Sequence, residues 1–238
     1  MAFRGLRVLA VVPARGGSKG ILRKNLSLIG GRTLIAHTAS IIAALPWIDV
    51  AILSTDDDEI AAEGLRAGLR VPFRRPAELA SDIASSADMW RHAWLACETA
   101  GSTAFDASVL LEPTSPLRMP EDVERTLATM IEGEHAAAAT VSPTPAHFAP
   151  GKAVVLDGAG LIDFYGPPGM RVTRRQDLKA SFHRNGVCYA VKRHTLFERD
   201  AIIEHDCAGV VIERPVVNID EPDDLELAQW LWSKAGRG

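Results

Sequence analysis

Leu6-Arg7-Val8-Leu9-Ala10-Val11-Val12 runs directly into Pro13-Ala14-Arg15-Gly16-Gly17-Ser18-Lys19-Gly20, and this junction decides the fold class. The apolar run shows no polar alternation, so it reads as a strand buried on both faces, the habit of a parallel sheet. Behind Arg4 and Arg7 it imitates a signal sequence, but it is too short for one and meets Pro13 and a basic loop. Gly16, Gly17 and Gly20 let the backbone approach a ligand closely and present several N–H groups to one anion. Arg15, Lys19 and Lys24 add three cations around that loop, with Ser18 and Asn25 beside them. Together these residues describe a cradle for a polyphosphate. The loop is neither a Walker A sequence nor G-x-G-x-x-G. A glycine-rich strand-to-helix turn on a basic surface is the plainer reading, and the three cations weigh against it.

Outward from this junction, apolar strands alternate with helical patterns. Thr33 can cap a helix carrying Leu34, Ile35, Ile41, Ile42 and Leu45 on one side. Val50 to Ser54 is strand-like, and the acids Asp56 to Glu59 suit the positive first turn of a helix ending near Gly68. Ser85 and Asp88 resemble a capping box before a helix that stacks Trp90, Trp94 and Cys97 and stops at Gly101. Ser108 to Leu111 and Ala136 to Val141 read as strands, separated by a helix opened by Pro120 and closed by Gly133. The rhythm breaks over residues 143–184, which hold five prolines, a hairpin around Asp157-Gly158 and the basic run Arg171, Arg174, Arg175, Lys179. Strand patterns resume at Val187 to Val191 and Val210 to Ile212. A last helix from Pro222 sets Leu225, Ala228 and Trp232 on one face. The expectation is an α/β fold, a mostly parallel sheet with helices on both faces. Residues 1–142 and 185–238 form its core, and 143–184 are an inserted lid or dimerisation arm. Ligands in such sheets sit beyond the carboxyl ends of the strands, where 13–25, 54–58 and 112–118 all fall.

The chain has 238 residues, 47% of them apolar and 24% charged, enough for a real core and incompatible with disorder. No apolar stretch reaches the roughly 20 residues of a membrane-spanning helix. The three cysteines are far apart and odd in number, which suits a reducing cytoplasm and argues against a disulfide frame or a zinc site. The net charge of −4 hides an asymmetry: seven basic residues precede the first acid, Asp49, and ten acids crowd residues 198–226. Cations at one end and carboxylates at the other suit an anion site facing a metal site, although two solvated faces of opposite sign would look the same. The acidic balance and the brevity of the basic cluster exclude nucleic acid as the partner.

Pro13 to Gly20 followed by Arg23-Lys24-Asn25-Leu26 resembles the nucleotide-binding signature of N-acylneuraminate cytidylyltransferases. Arg75-Pro76-Ala77-Glu78-Leu79-Ala80-Ser81-Asp82 with Ser85-Ser86, Leu111-Glu112-Pro113-Thr114-Ser115-Pro116-Leu117-Arg118, Arg184-Asn185-Gly186-Val187-Cys188-Tyr189 and Asn218-Ile219-Asp220 follow in the family's order. The similarity spans about residues 7 to 228. It implies a Rossmann-like nucleotidyltransferase fold and a CTP- and Mg²⁺-dependent transfer of CMP to a nine-carbon 2-keto sugar acid, with release of pyrophosphate. By the same resemblance Arg15, Lys19 and Lys24 meet the triphosphate and Asn25 a neighbouring part of the nucleotide, with Gly16, Gly17 and Ser18 in the same loop. Arg75, Ala84 and Ser86 belong to the segment that reads cytosine. Glu112, Thr114 and Ser115 lie in the motif that touches the sugar, and Arg175 meets its carboxylate, bidentately as only a guanidinium can. Asp220 faces the metal, with Asn218 beside it. The arm implies a homodimer.

Two departures mark this chain. The family usually has Gln where Glu112 stands, and its paired aspartates read here as Asn218 and Asp220. Glu112 repels an acidic substrate unless it meets a cation, a metal or a hydroxyl, and Asn218 removes one charge from the metal side. A cytidylyltransferase for another acid, an octulosonate or a phosphonate, and a non-catalytic nucleotide-binding regulator therefore stand as alternatives.

Overall fold

In the computed structural model of the chain, residues 3–101, 103–167, 174, 179–199 and 202–236 are described. Among the described residues, ten strands and six α-helices follow one another. The strands are β1 (Val8–Pro13), β2 (Leu28–Ile29), β3 (Arg32–Thr33), β4 (Val50–Ser54), β5 (Ala107–Leu110), β6 (Ala137–Pro143), β7 (Val154–Leu156), β8 (Ile162–Phe164), β9 (Phe182–Lys192) and β10 (Cys207–Val211). The helices are α1 (Leu34–Ala43), α2 (Asp58–Arg66), α3 (Ser86–Gly101), α4 (Pro120–Glu132), α5 (Arg193–Glu198) and α6 (Pro222–Lys234).

Six strands form one sheet in the order β10-β6-β9-β5-β1-β4. β1 pairs parallel with β4 and β5, and β10 parallel with β6. β9 alone runs the other way, antiparallel to both β5 and β6. The parallel strands need crossovers and so alternate with helices. β6 and β9 need none, and the chain between them leaves and returns at the same end of the sheet. Residues 144–181 depart from that end, where the Thr144 amide still donates to the Ser181 carbonyl at 2.8 Å. β7 and β8 then make their own two-stranded sheet, turned at Asp157, whose Oδ1 accepts from the amides of Ala159 and Leu161 at 2.9 and 2.8 Å.

Alternation along β1 shows why its sequence carries no polar period. Val8, Ala10 and Val12 pack into one cluster with Ile35 and Ala39 of α1, Ile60 of α2 and Val123, Leu127 and Met130 of α4. Leu9 and Val11 point the other way, into a second cluster with Trp90 and Trp94 of α3 and Leu196 of α5. Helices therefore cover both faces of a mostly parallel sheet, as the sequence implies. Between the sheet and α3 a buried polar pair is answered: Trp90 Nε1 donates to Ser108 Oγ at 2.8 Å, which donates to the Leu9 carbonyl at 2.8 Å.

Thr33 caps α1 as expected, whereas of the four acids expected in the first turn of α2 only Asp58 and Glu59 lie there, Asp57 being its cap and Asp56 turning to the Gly16 amide. The Thr33 hydroxyl accepts from the Ala36 amide at 3.0 Å, and Asp57 Oδ1 accepts from Glu59 and Ile60, both at 2.9 Å. At α3 the expected capping box is only half made. Ser85 Oγ accepts from the Ala87 amide at 3.2 Å, but the Asp88 carboxylate turns to Arg91 at 2.7 Å, because a guanidinium lies within its reach one turn on. The β2–β3 hairpin and the short α5 carry no strong periodic signal, and the sequence pattern alone does not reveal them.

Candidate active site

Because β1, β4, β5, β6 and β10 run parallel, their carboxyl ends open on one side, and the reversed β9 brings its amino end there too. A cavity of about 520 Å³ lies on that side. The loop after β1 supplies Arg15, Ser18, Lys19, Lys24 and Asn25 to its wall. The segment before α3 supplies Arg75, Ala84 and Ser86; the loop after β5 supplies Glu112 and Thr114; the approach to α6 supplies Asn218 and Asp220.

The structure brings the cationic loop and the distant carboxylate into contact. Lys24 Nζ lies 2.8 Å from Asp220 Oδ1, across 196 positions of sequence. Gly20 makes that approach possible, since a Cβ built on it would fall 2.4 Å from the Asp220 carbonyl oxygen. Asn25 is buried and works as a strut, its amide donating to the Arg15 carbonyl at 3.1 Å. Arg15 and Lys19 both meet the Asp82 carboxylate, at 2.8 and 2.5 Å, and hold it below the usual carboxylate range. Asp82 stands where two cradle cations converge. Its place in the sequence assigns it no role, because only the folded loop shows what it faces.

Three of the expected site residues sit differently from the sequence-based assignment. The Gly16 amide is spent on Asp56 Oδ1 at 2.9 Å, so it is not offered to an anion. Gly17 does not line the cavity, and neither does Ser115, which is buried with its hydroxyl 3.4 Å from the Asn185 carbonyl. Arg175 lies outside the described residues. Arg75 does line the cavity, but its Nε donates to Ser54 Oγ at 3.0 Å and its Nη2 to the Ser54 carbonyl. Burial lowers its guanidinium to about 10, which leaves it charged at neutral pH.

Arg118, fully buried, fixes the 112–118 loop. Its guanidinium donates to the Glu112 carbonyl at 2.7 Å and to the Val187 carbonyl, and lies 3.4 Å from the Thr38 hydroxyl. These donors, satisfied by fixed oxygens, weld the 112–118 loop to the start of β9. Gly186, with φ +70°, lets that strand pass close: a Cβ there would sit 2.9 Å from Glu112 Oε2 and 3.2 Å from Asn218 Cγ. The Ile219 amide donates to the Thr114 carbonyl at 2.8 Å and ties the acidic segment to the same loop. The Glu112 carboxylate itself accepts no hydrogen bond or ion pair among the described residues. Burial raises its pKa and the Asp220 charge adds to this, while Arg118, Lys24 and Arg184 pull the other way.

Among the described residues, the Asp224 carboxylate meets only backbone amides. Its Oδ2 accepts from the amides of Asp220 and Glu221 at 3.0 and 2.9 Å and caps α6. Among the described residues no three His, Cys, Asp or Glu side chains gather tightly enough to cage a metal. Asp220 and Asn218, whose amide lies 3.5 Å from Asp220 Oδ2, form a sparse oxygen-bearing pair on the cavity wall.

A family model described as Cytidylyltransferase matches residues 9–206. The chain is 28% identical over 230 residues to a Campylobacter jejuni protein named pseudaminic acid cytidylyltransferase, covering 95% of this chain and 97% of the relative. It is 26% identical over 235 residues to the N-acylneuraminate cytidylyltransferase of Escherichia coli, covering 97% of this chain and 53% of that one. With the CMP-N,N'-diacetyllegionaminic acid synthase of Legionella pneumophila it shares 38% identity over 120 residues, 50% of each chain. Among solved structures, a CMP:2-keto-3-deoxy-manno-octonic acid synthetase complexed with CTP aligns with a TM-score of 0.70 at 19% identity, over 96% of this chain and 99% of that one, a likeness of fold.

Proposed function

Since the chain belongs to the cytidylyltransferase family, we propose that it transfers CMP from CTP to the anomeric hydroxyl of a nine-carbon 2-keto sugar acid of the sialic, legionaminic or pseudaminic type, releasing pyrophosphate. One observation carries this reading: Arg15, Lys19 and Lys24, the Arg75–Ser86 wall and Asp220 share a single cavity with Glu112 and Thr114. The names of the relatives supply the substrate class.

The hydroxyl oxygen forms a new bond to the α-phosphorus as the bond to the β-phosphate bridge breaks, its electron pair leaving with pyrophosphate and the hydroxyl proton passing to solvent. Little covalent chemistry is asked of the protein, so its contribution is position and charge. Arg15, Lys19 and Lys24 neutralise the triphosphate, and Lys19, exposed and flexible, can follow charge onto the leaving group. Cytosine offers an exocyclic amine and two acceptors, and the backbone around Ala84 and Ser86 beside Arg75 supplies complementary groups. Glu112 and Thr114 face the acid.

Mg²⁺ belongs to the same proposal. Asp220 and Asn218 offer hard oxygens, and a magnesium ion takes few protein ligands and completes its shell with phosphate and water, which suits so sparse a pair. When bound, such an ion neutralises phosphate charge and eases loss of the hydroxyl proton. The reading extends to a homodimer through the 143–184 arm, supported by the exposed Leu156, Leu161, Ile162 and Tyr165 of its hairpin. It also extends to the cytoplasm, where CTP is made and free thiols such as Cys97, Cys188 and Cys207 persist.

The test is pyrophosphate release from CTP and Mg²⁺ with N-acetylneuraminate, N,N'-diacetyllegionaminate, pseudaminate and 2-keto-3-deoxy-octonate. Turnover of a nine-carbon acid is expected. Turnover of the octonate alone would move the substrate class, and release with none of them would refute the reaction.

A further inference from the structure

A second cavity, of about 340 Å³, adjoins the first and shares Ser85, Ser86, Leu110 and Glu112 with it. Arg184 and Tyr189 of β9 line it as well, and Ile202 and Ile203 give it an apolar side. The cations that line the two cavities divide sharply. Arg15 and Lys19 meet Asp82, Lys24 meets Asp220, and Arg75 is held by Ser54. Arg184 is exposed and, among the described residues, its guanidinium has no ion pair and no hydrogen bond.

Arg184 is nonetheless close enough to favour the ionised forms of both Glu112 and Tyr189. No ion pair closes between Arg184 and Glu112: no guanidinium nitrogen comes within 4.0 Å of a carboxylate oxygen, and both residues line the same cavity. A ligand that meets both needs an anion for the guanidinium and a hydrogen-bond donor for the carboxylate, which only accepts when ionised. The triphosphate does not fit this description: it is all acceptor, and Arg15, Lys19 and Lys24 already serve it. A sugar acid fits, with one carboxylate and several hydroxyls on one rigid frame.

We propose that Arg184 takes the carboxylate of the acid co-substrate in this side cavity, while Glu112 accepts a hydrogen bond from one of its hydroxyls. The assignment rests on the transfer reaction proposed above and adds a specificity-determining residue to it. A guanidinium fork holds a carboxylate by two parallel bonds, so Lys is an incomplete replacement. Glu112 then acts as a filter, admitting a hydroxyl and refusing a carbonyl or a second carboxylate at the same point.

The experiment is steady-state pyrophosphate release by wild type, Arg184→Gln, Arg184→Lys, Arg175→Gln and Glu112→Gln, with CTP and the nine-carbon acid that wild type uses best. Arg184→Gln is expected to raise the KM for the acid at least about tenfold, the scale of a lost charge-assisted pair, with the KM for CTP unchanged. Arg184→Lys should fall between the two. The carboxamide of the same sugar, tested as a competitive inhibitor, should bind wild type far more weakly than the acid, and Arg184→Gln should lose most of that discrimination. An unchanged acid KM in Arg184→Gln overturns the assignment, as does a parallel rise in both KM values. A loss in Arg175→Gln with none in Arg184→Gln hands the carboxylate to Arg175. If wild type releases pyrophosphate with no acid, the reaction itself fails and the assignment falls with it, a result distinct from normal turnover with unaltered variants.

Discussion

Gly20→Ala tests the contact on which the site depends. The added Cβ would lie 2.4 Å from the Asp220 carbonyl oxygen, an atom of the backbone that cannot rotate away. Gly20 is not in the left-handed region, so the strain comes from close contact: chiefly this one, with Glu221 Oε1 a lesser neighbour at 3.1 Å. Restoring an ordinary separation of about 3.4 Å requires the cationic loop and the acidic segment to part by roughly 1 Å. Displacements near 1 Å cost about 100-fold in a reaction governed by positioning. Overpacking of this kind costs about 1–3 kcal/mol of stability, or some 2–4 °C of melting temperature per kcal/mol in a chain of this size. The expected result is therefore a kcat/KM for CTP reduced by about two orders of magnitude in a protein that still melts cooperatively. Pyrophosphate release and calorimetry measure the two quantities. Gly158→Ala, in the β7–β8 turn, is the control, because a Cβ there meets nothing within 4 Å and should leave both nearly unchanged. Wild-type kcat/KM in Gly20→Ala, or equal losses in the two variants, would refute the claim that the loop and Asp220 work as one unit.

Lys19→Ala should lower kcat by about 10²–10³-fold while leaving the melting temperature almost unmoved, because the Lys19 side chain is 79% exposed and its pair with Asp82 is a surface one. Normal turnover in that variant would remove the cradle from the mechanism. Trp94→Ala should destabilise by about 3–5 kcal/mol in urea titrations, since the indole is fully buried between the sheet and α5, and a loss under 1 kcal/mol would show that the second core is not packed as described. Burial pushes the Glu98 carboxyl up, but Arg193, the Phe105 amide and the Trp94 indole outweigh it and hold the pKa below the usual range. The stabilisation from its ionised form is thus complete above the ordinary carboxylate pKa and is lost as pH falls through the lowered folded value. Wild type should exceed Glu98→Gln in urea midpoint at pH 7, and the gap should close on acidification; a gap independent of pH would contradict the assignment.

Much of this protein is written locally. The unbroken apolar run Val8 to Val12 already contains a strand covered on both faces, since alternate residues enter different cores. Thr33, Asp57, Pro120 and Gly133 mark helix ends because caps act over three or four residues. The cations and glycines of residues 15–24 mark a candidate anion site because their chemistry is carried by residue type and close spacing. What the sequence by itself leaves open is everything set by long-range contact. The reversal of β9 depends on which neighbour it finds, and that reversal places Arg184 and Gly186 beside the site. The partners of Lys24, of Arg15 and of Arg118 lie 196, 67 and 69 positions away. Even Gly16, chosen for its amide, spends that amide on Asp56. Backbone preference and side-chain chemistry act over a few residues and can be read along the chain. Register, burial and the meeting of charges follow from close packing of the whole, which no short stretch encodes.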